Sequence, residues 1–348
     1  MSNRLLDEEG GAMIGRKGYI SVFALIVMSI LMLIISYLVT TTNMEGIILI
    51  HTRNNIQSNY LSEGKIQMVL YDKYYDEDFL PLLFGALREN KSATMDIILD
   101  NEDLDEYDSI SNVTISLNKN SRMEFELRSE SDYRGVKTIL NASGPLINDF
   151  FEMGNPILNP STIDNTLEED FYNLLNKIYD EINLGHNDLP TTTYGGQFSN
   201  FEKIVLNQVS NHNYYLFGYR ETMVEPYIEH IDKNNIVLII KKYGDDEIDL
   251  FLGDEGEIDS PLELNGLIFV EGNITIFNKL NFNGIIILKD GDILVKSNER
   301  PKINGLIISS NDFNVEDLQI TYDNKMIYKY GTYLPDFIDP KLLLFKNY

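Results

Sequence analysis

Arg16-Lys17-Gly18-Tyr19-Ile20-Ser21-Val22-Phe23-Ala24-Leu25-Ile26-Val27-Met28-Ser29-Ile30-Leu31-Met32-Leu33-Ile34-Ile35-Ser36-Tyr37-Leu38-Val39 is the stretch that decides the architecture. A bilayer's hydrocarbon core is about 30 Å thick and is crossed by about 20 helical residues, so residues 20–39 span it unaided. Thirteen of them are Ile, Leu, Val or Phe. At roughly −0.3 to −0.6 kcal/mol each, they sum to about −4 to −8 kcal/mol before Ser21, Ser29, Ser36 and Tyr37 subtract from it. A soluble helix apolar on every face would need a protein core wrapped all round it. A secretory signal has an apolar region of about 7–15 residues and a small-residue cleavage site, which is missing after Val39. A single-pass anchor is therefore expected. Arg16 and Lys17 abut the span, whereas the far side offers only Arg53, offset by Glu45. The positive-inside rule then predicts a cytoplasmic N-terminus, localisation to the cell membrane and an extracellular C-terminal part.

Outward from the anchor the chain turns acidic. The first eighteen residues balance (Arg4, Arg16, Lys17 against Asp7, Glu8, Glu9), so the net charge of −26 lies on the rest. Nucleic acid is excluded as a partner, because phosphate contacts need clustered Lys and Arg. Cysteine is absent, which rules out disulfides, thiolate metal sites and a thiol nucleophile.

Beyond Thr42 an amphipathic pattern continues without proline as far as Pro81, broken only by Gly46 and Gly64. A helix over residues 19–75 is predicted, roughly 85 Å long at 1.5 Å per residue. Its expected packing residues are Ile56, Leu61, Met68, Tyr71 and Tyr75, with Leu61, Gly64, Met68, Tyr71 and Tyr75 spaced 3,4,3,4. Asp76-Glu77-Asp78 and Pro81 are expected to end it. Strands are predicted at 110–117, 123–127 and 135–142 around a polar turn at 129–132, making a small antiparallel sheet. A helix follows at 166–182, opened by a capping box from Thr166 to Glu169. Residues 199–208 form a weaker helix candidate, and 185–196 read as loop.

The C-terminal third repeats. Leu264-Asn265-Gly266-Leu267-Ile268-Phe269-Val270, Phe282-Asn283-Gly284-Ile285-Ile286-Ile287-Leu288 and Ile303-Asn304-Gly305-Leu306-Ile307-Ile308 align at periods of 18 and 21 residues. Short β-runs separated by Asn-Gly turns at such periods suit stacked β-solenoid rungs, with residues 236–240 as a further rung and Asn265, Asn283 and Asn304 in one hydrogen-bonded ladder. A meander of hairpins turning at each Asn-Gly is the alternative. Continuous rather than alternating apolar filling favours the solenoid. The expected class is α+β, in the order 1–18 leader, 19–42 transmembrane helix, 43–75 amphipathic continuation and 76–150 small sheet domain. Then come 151–232 helix and loop, 233–325 solenoid-like repeat and 326–348 tail.

The N-terminus resembles type IV pilin-like proteins, in particular PilX-type pilus assembly proteins of Gram-positive bacteria. The resemblance rests on Arg16-Lys17-Gly18 before the apolar run, the unbroken helix, and residues 54–67 with Leu61-Ser62-Glu63-Gly64, similar to the family's A-E-x-G/A stretch. The segment Glu126-Leu127-Arg128-Ser129-Glu130-Ser131-Asp132-Tyr133-Arg134-Gly135-Val136-Lys137 is similar to the family's strand–turn–strand. The resemblance implies a minor structural component of a pilus or pseudopilus, with pilin-like proteins as partners of the helix. It also implies leader cleavage between Gly18 and Tyr19. Where the family carries a glutamate at the fifth mature position, this chain has Phe23. The new amino terminus would then lack its carboxylate partner in lipid.

Catalytic motifs are absent. None of His51, His186, His212 and His230 sits in H-E-x-x-H, and there is no G-x-S-x-G or phosphate-binding glycine loop. No enzymatic activity, cofactor or metal is expected. The acidic run Asp245, Asp246, Glu247, Asp249, Asp254, Glu255, Glu257 and Asp259 lacks calcium-loop spacing and reads as a solvated loop. The rival function is an anchored carbohydrate-active or adhesive solenoid. Its candidate carboxylates are Glu271, Asp290 and Asp292, near Lys289 and Lys296.

Overall fold

A computed structural model describes residues 9–100, 102–119, 122–185, 189–210, 213–242, 248–253 and 261–347. The chain opens with helix α1 (Glu9–Tyr71), a π turn (Tyr75–Phe79), α2 (Leu80–Glu89) and strands β1 (Ala93–Ile98), β2 (Asn112–Lys119), β3 (Met123–Tyr133) and β4 (Val136–Pro145). Next come β5 (Ile157–Leu158), α3 (Glu168–Glu181), β6 (Thr193–Ser199), β7 (Lys203–Ser210), β8 (Asn213–Tyr219) and β9 (Tyr227–Ile231). The last part holds β10 (Asn235–Lys241), β11 (Asp249–Leu252), β12 (Leu262–Val270), β13 (Ile274–Ile276), β14 (Leu280–Leu288), β15 (Ile293–Val295), β16 (Lys302–Ser309), β17 (Gln319–Thr321), α4 (Asn324–Gly331) and β18 (Leu344–Asn347).

The protein is α+β with three sheets, where sequence reasoning expected one small sheet beside a repeat. The first is antiparallel, β1-β2-β3-β4-β18, so the tail returns to pair with β4. Its β3–β4 turn lies at Arg134-Gly135, both at positive φ. The expected turn at residues 129–132 is strand, because Ser129 and Ser131 are buried under α1 and take the inward alternation that solvent-facing serines would not. The second sheet is wholly parallel, β17-β16-β14-β12-β10-β6 with β5 also on β16. The third runs β15-β13-β11-β7-β8-β9, parallel up to β7 and antiparallel beyond.

From β10 to β16 the chain feeds the second and third sheets alternately, and β6 with β7 make an earlier pair of the same kind. The helix candidate at 199–208 is thus a correction. Ile204 and Leu206 face inward with period two, and β7 is paired on both sides. Gly195 and Gly196, read as loop, lie in β6.

One core joins the later part of α1, α2, α3, α4 and the antiparallel sheet to one face of the parallel sheet, through Val237, Ile239, Leu267, Phe269, Ile285 and Ile287. A second fills the space between the two stacked sheets, with Ile236, Leu238, Ile268, Val270, Ile286 and Leu288 from the same strands facing Leu250, Leu252, Ile274 and Ile276. The parallel sheet is buried on both faces, which is why its strands read as continuous apolar runs.

Asn265-Gly266, Asn283-Gly284 and Asn304-Gly305 lie inside β12, β14 and β16 and not at the expected turns, because each glycine lets its strand close on the backbone of the one before, and their asparagines stack. Asn265 pairs in register with Asn283, and Asn283 with Asn304. Asn304 Nδ2 donates to Asn283 Oδ1 (2.9 Å), and Asn283 Nδ2 to Asn265 Oδ1 (2.7 Å). Asn235 continues the register below and accepts from the Tyr330 hydroxyl at 2.8 Å. Gly266, Gly284 and Gly305 follow at φ +150°, +151° and +146°, each nestled against the backbone of the neighbouring strand.

The helical elements depart from expectation at their ends. α1 stops at Tyr71, and the acidic Asp76-Glu77-Asp78 lies in the π turn rather than terminating the helix. Pro81 sits in the first turn of α2, where its missing N–H costs nothing. α3 is preceded by a 3₁₀ turn (Asn165–Leu167) capped by Asp164, whose Oδ1 accepts from Thr166 N–H at 2.9 Å and from its hydroxyl at 2.8 Å, in place of the capping box at Thr166.

Candidate functional site

α1 has two regimes. From Tyr19 to Gln57 no residue is buried, and from Ser58 onward one face presses on β3 and β4. The helix is long and apolar enough to cross a membrane, and none of its most apolar window is buried. Past the predicted span it still exposes Met44, Ile47, Ile48, Leu49 and Ile50, the last four at 58–70 %. Consecutive residues step about 100° round a helix, so these four make an apolar collar on nearly all sides.

The docked face differs from the predicted stripe. Ile56 and Tyr71 point to solvent, while Leu61, Met68 and Tyr75 are half-buried, Met68 and Tyr75 at the rim of the first core. The buried face is Ser58, Ser62, Lys65, Ile66, Val69 and Leu70. Ser62 Oγ donates to Ser131 Oγ (2.8 Å), the Ser58 and Ser131 hydroxyls lie 2.7 Å apart, and Ser131 Oγ lies 2.6 Å from the Ser58 carbonyl.

One turn on, Lys65 Nζ sits 2.6 Å from Asp108 Oδ2, with side chains 3 % and 0 % exposed. The same ammonium donates to the carbonyls of Ile110 (2.5 Å) and Glu130 (2.7 Å), so its three protons have three acceptors. Asp108 Oδ1 accepts the N–H groups of Ile110 (3.1 Å) and Asp132 (3.2 Å). Burial lowers the Lys65 pKa, and the Asp108 hydrogen bond and charge oppose that shift. Sequence reasoning missed this polar seam because Ser and Lys default to the solvent face. Its only sequence trace is the spacing of Ser58, Ser62 and Lys65 at 4 and 3.

Gly18 and Tyr19 lie within α1, and Tyr19 and Phe23 are 74 % and 58 % exposed. With Phe23 in place of a carboxylate, the leader is expected to stay on. Mass spectrometry of the N-terminal peptide from membranes should find a start at Met1 or Ser2, and a start at Tyr19 would establish pilin-type processing instead.

The candidate carboxylates are not gathered into a catalytic pair. Glu271 Oε1 is bound to Lys289 Nζ at 3.1 Å and its Oε2 accepts Lys242 N–H at 2.8 Å. Asp290 takes a turn at φ +58°, and Asp292 lies just before β15 with its N–H donating to Asn273 Oδ1. His51 is exposed on α1 and His230 on β9, while His186 and His212 lie outside the described residues. So do Asp245, Asp246, Glu247, Asp254, Glu255, Glu257 and Asp259 of the acidic run, leaving Asp249 on β11. Among the described residues no three His, Asp or Glu side chains are grouped to hold a metal.

No family model matches the chain, and no curated protein matches it. Among solved structures, the competence-associated pilin ComZ from Thermus thermophilus aligns over 85 % of this chain and 98 % of its own at 10 % identity. The TM-score is 0.21, too loose a superposition to carry an argument.

Proposed function

We propose that this chain is a single-pass membrane protein with a pilin-like structural role, a minor component of a pilus or pseudopilus assembly system of the PilX kind. Its N-terminus is cytoplasmic, its acidic globular part extracellular, and it works as a scaffold without enzymatic activity. The observation that supports this is the length of bare helix. Residues 19–57 run about 58 Å at 1.5 Å per residue, roughly twice the bilayer's hydrocarbon core. The collar at residues 47–50 therefore projects into water unless other helices cover it, which is the demand a helical bundle of similar anchors meets. We read the alternating parallel stack as a short β-solenoid, supported by the Asn265–Asn283–Asn304 ladder and the shared glycine conformation. Catalysis on carbohydrate through Glu271 is disfavoured by the ion pair that occupies it.

The test uses the absence of native cysteine. On intact, wall-stripped cells a Val224→Cys chain, altered at a fully exposed position of the globular part, should react with a membrane-impermeant thiol reagent, and an Ile48→Cys chain should crosslink to pilin-like partners. Protection from the reagent would refute the orientation. Failure to crosslink, with filament assembly unchanged on deletion, would leave only an anchored surface protein.

A further inference from the structure

The outer face of the β15-β13-β11-β7-β8-β9 sheet carries side chains that neither core uses. Alternation turns Ile204, Leu206, Leu250, Leu252 and Ile274 inward and the residues between them outward. The registers align Ile228, Phe217, Val205, Phe251, Thr275 and Leu294 in one transverse row, one from each strand. At about 4.8 Å per strand this track is about 24 Å long. Phe277 stacks on Phe251 (centroids 5.7 Å apart, planes 13° from parallel) and Tyr215 on Phe217 (6.2 Å, 28°).

A polar row runs beside the aromatic one. Tyr219 is in register with Lys203, and Lys203 with Asp249. Asn273 Nδ2 donates to Asp249 Oδ1 (3.0 Å), and Asp292 N–H donates to Asn273 Oδ1 (3.0 Å). Lys203 Nζ lies 4.3 Å from the Phe251 ring centroid.

Flat rings beside planar amide and carboxylate groups suit a sugar chain. The negative ring face attracts polarised C–H groups of a pyranose, and planar acceptors and donors engage neighbouring hydroxyls. Asp249 and Asp292, on a chain of net charge −26, repel anionic polymers and leave uncharged ones. Val205 and Thr275 are buried within the row, so the surface open to a ligand is the half-exposed rings and the polar side chains beside them.

We propose that this face binds an uncharged polysaccharide laid across the strands, its rings on Phe277 and Tyr215–Phe217 and its hydroxyls on Asp249, Asn273 and Asp292. This stands independently of the filament role.

Calorimetric titration of the full chain in detergent with cello-, xylo-, manno- and chito-hexaose, and with polygalacturonate and hyaluronate, tests it. Saturable binding of at least one neutral sugar and none of the anions is expected, weakened about ten-fold or more by Phe277→Ala or Leu294→Arg. Leu294 is 47 % exposed at the sheet's edge, so Leu294→Arg remains informative even if the Phe277 variant unfolds. Failure of the folded chain to bind any neutral sugar overturns the proposal, as does equal affinity for the anionic polymers. Binding unchanged by both Leu294→Arg and Asp292→Ala overturns it too, as does a protein seated on this face in place of sugar.

Discussion

Gly284→Val is expected to disrupt the stacked sheets, costing about 4–5 kcal/mol or more, at the extreme of single substitutions. Gly284 holds φ +151°, and a Cβ there would lie 1.8 Å from the Gly266 carbonyl oxygen. That oxygen is backbone in a strand paired on both sides and has no rotamer to escape into, so the strands themselves must separate. Separation would break the parallel pairing of β12 with β14 and the Asn283–Asn265 hydrogen bond together. A domain's whole stability is about 5–15 kcal/mol, so most of the folded population should be lost. Urea unfolding followed by circular dichroism measures this. Gly46→Ala is the control, because a Cβ at Gly46 would meet nothing within 4 Å. It should raise helix stability by up to about 1 kcal/mol. Similar midpoints for the two variants would refute the steric account.

Lys65→Ala is expected to cost about 3–5 kcal/mol, because it strands the Asp108 carboxylate in a buried site. The loss should centre on the seam where α1 meets β3, since Lys65 also holds the Glu130 carbonyl. Adding Asp108→Asn should recover part of it. The amide oxygen can still accept the Ile110 and Asp132 N–H groups, while the unpaired charge is gone. A double variant less stable than Lys65→Ala alone would show that the carboxylate matters for its hydrogen bonds rather than its pairing. Hydrogen exchange across residues 58–71 would localise the change, with protection falling there before it falls in the parallel sheet.

Much of this protein was determined by local sequence. A helix able to cross a membrane needs only length and apolarity, so residues 20–39 declare one without reference to any neighbour. The Asn-Gly repeats declare their equivalence, though they lie inside strands and not at turns. Each repeats the same backbone conformation, and parallel stacking in register brings like residues together, so Asn265, Asn283 and Asn304 meet because they occupy equivalent places. The strands at 112–119 and 136–145 likewise follow their own alternation.

Tertiary structure decided whatever depends on a partner distant in the chain. Lys65 and Ser62 face inward because Asp108 and Ser131 wait there to satisfy them, 43 and 69 residues away, and no helical periodicity distinguishes such serines and lysines from solvated ones. β7 became a strand because β8 and β11 flank it, which overrode a weak helical pattern. The tail became β18 because β4 presents an open edge to residues some two hundred positions later. The outer aromatic track exists only through register, since its six residues come from six strands scattered along the chain. Local propensity acts within a few residues, whereas pairing and the burial of polar groups are settled only when separate segments meet.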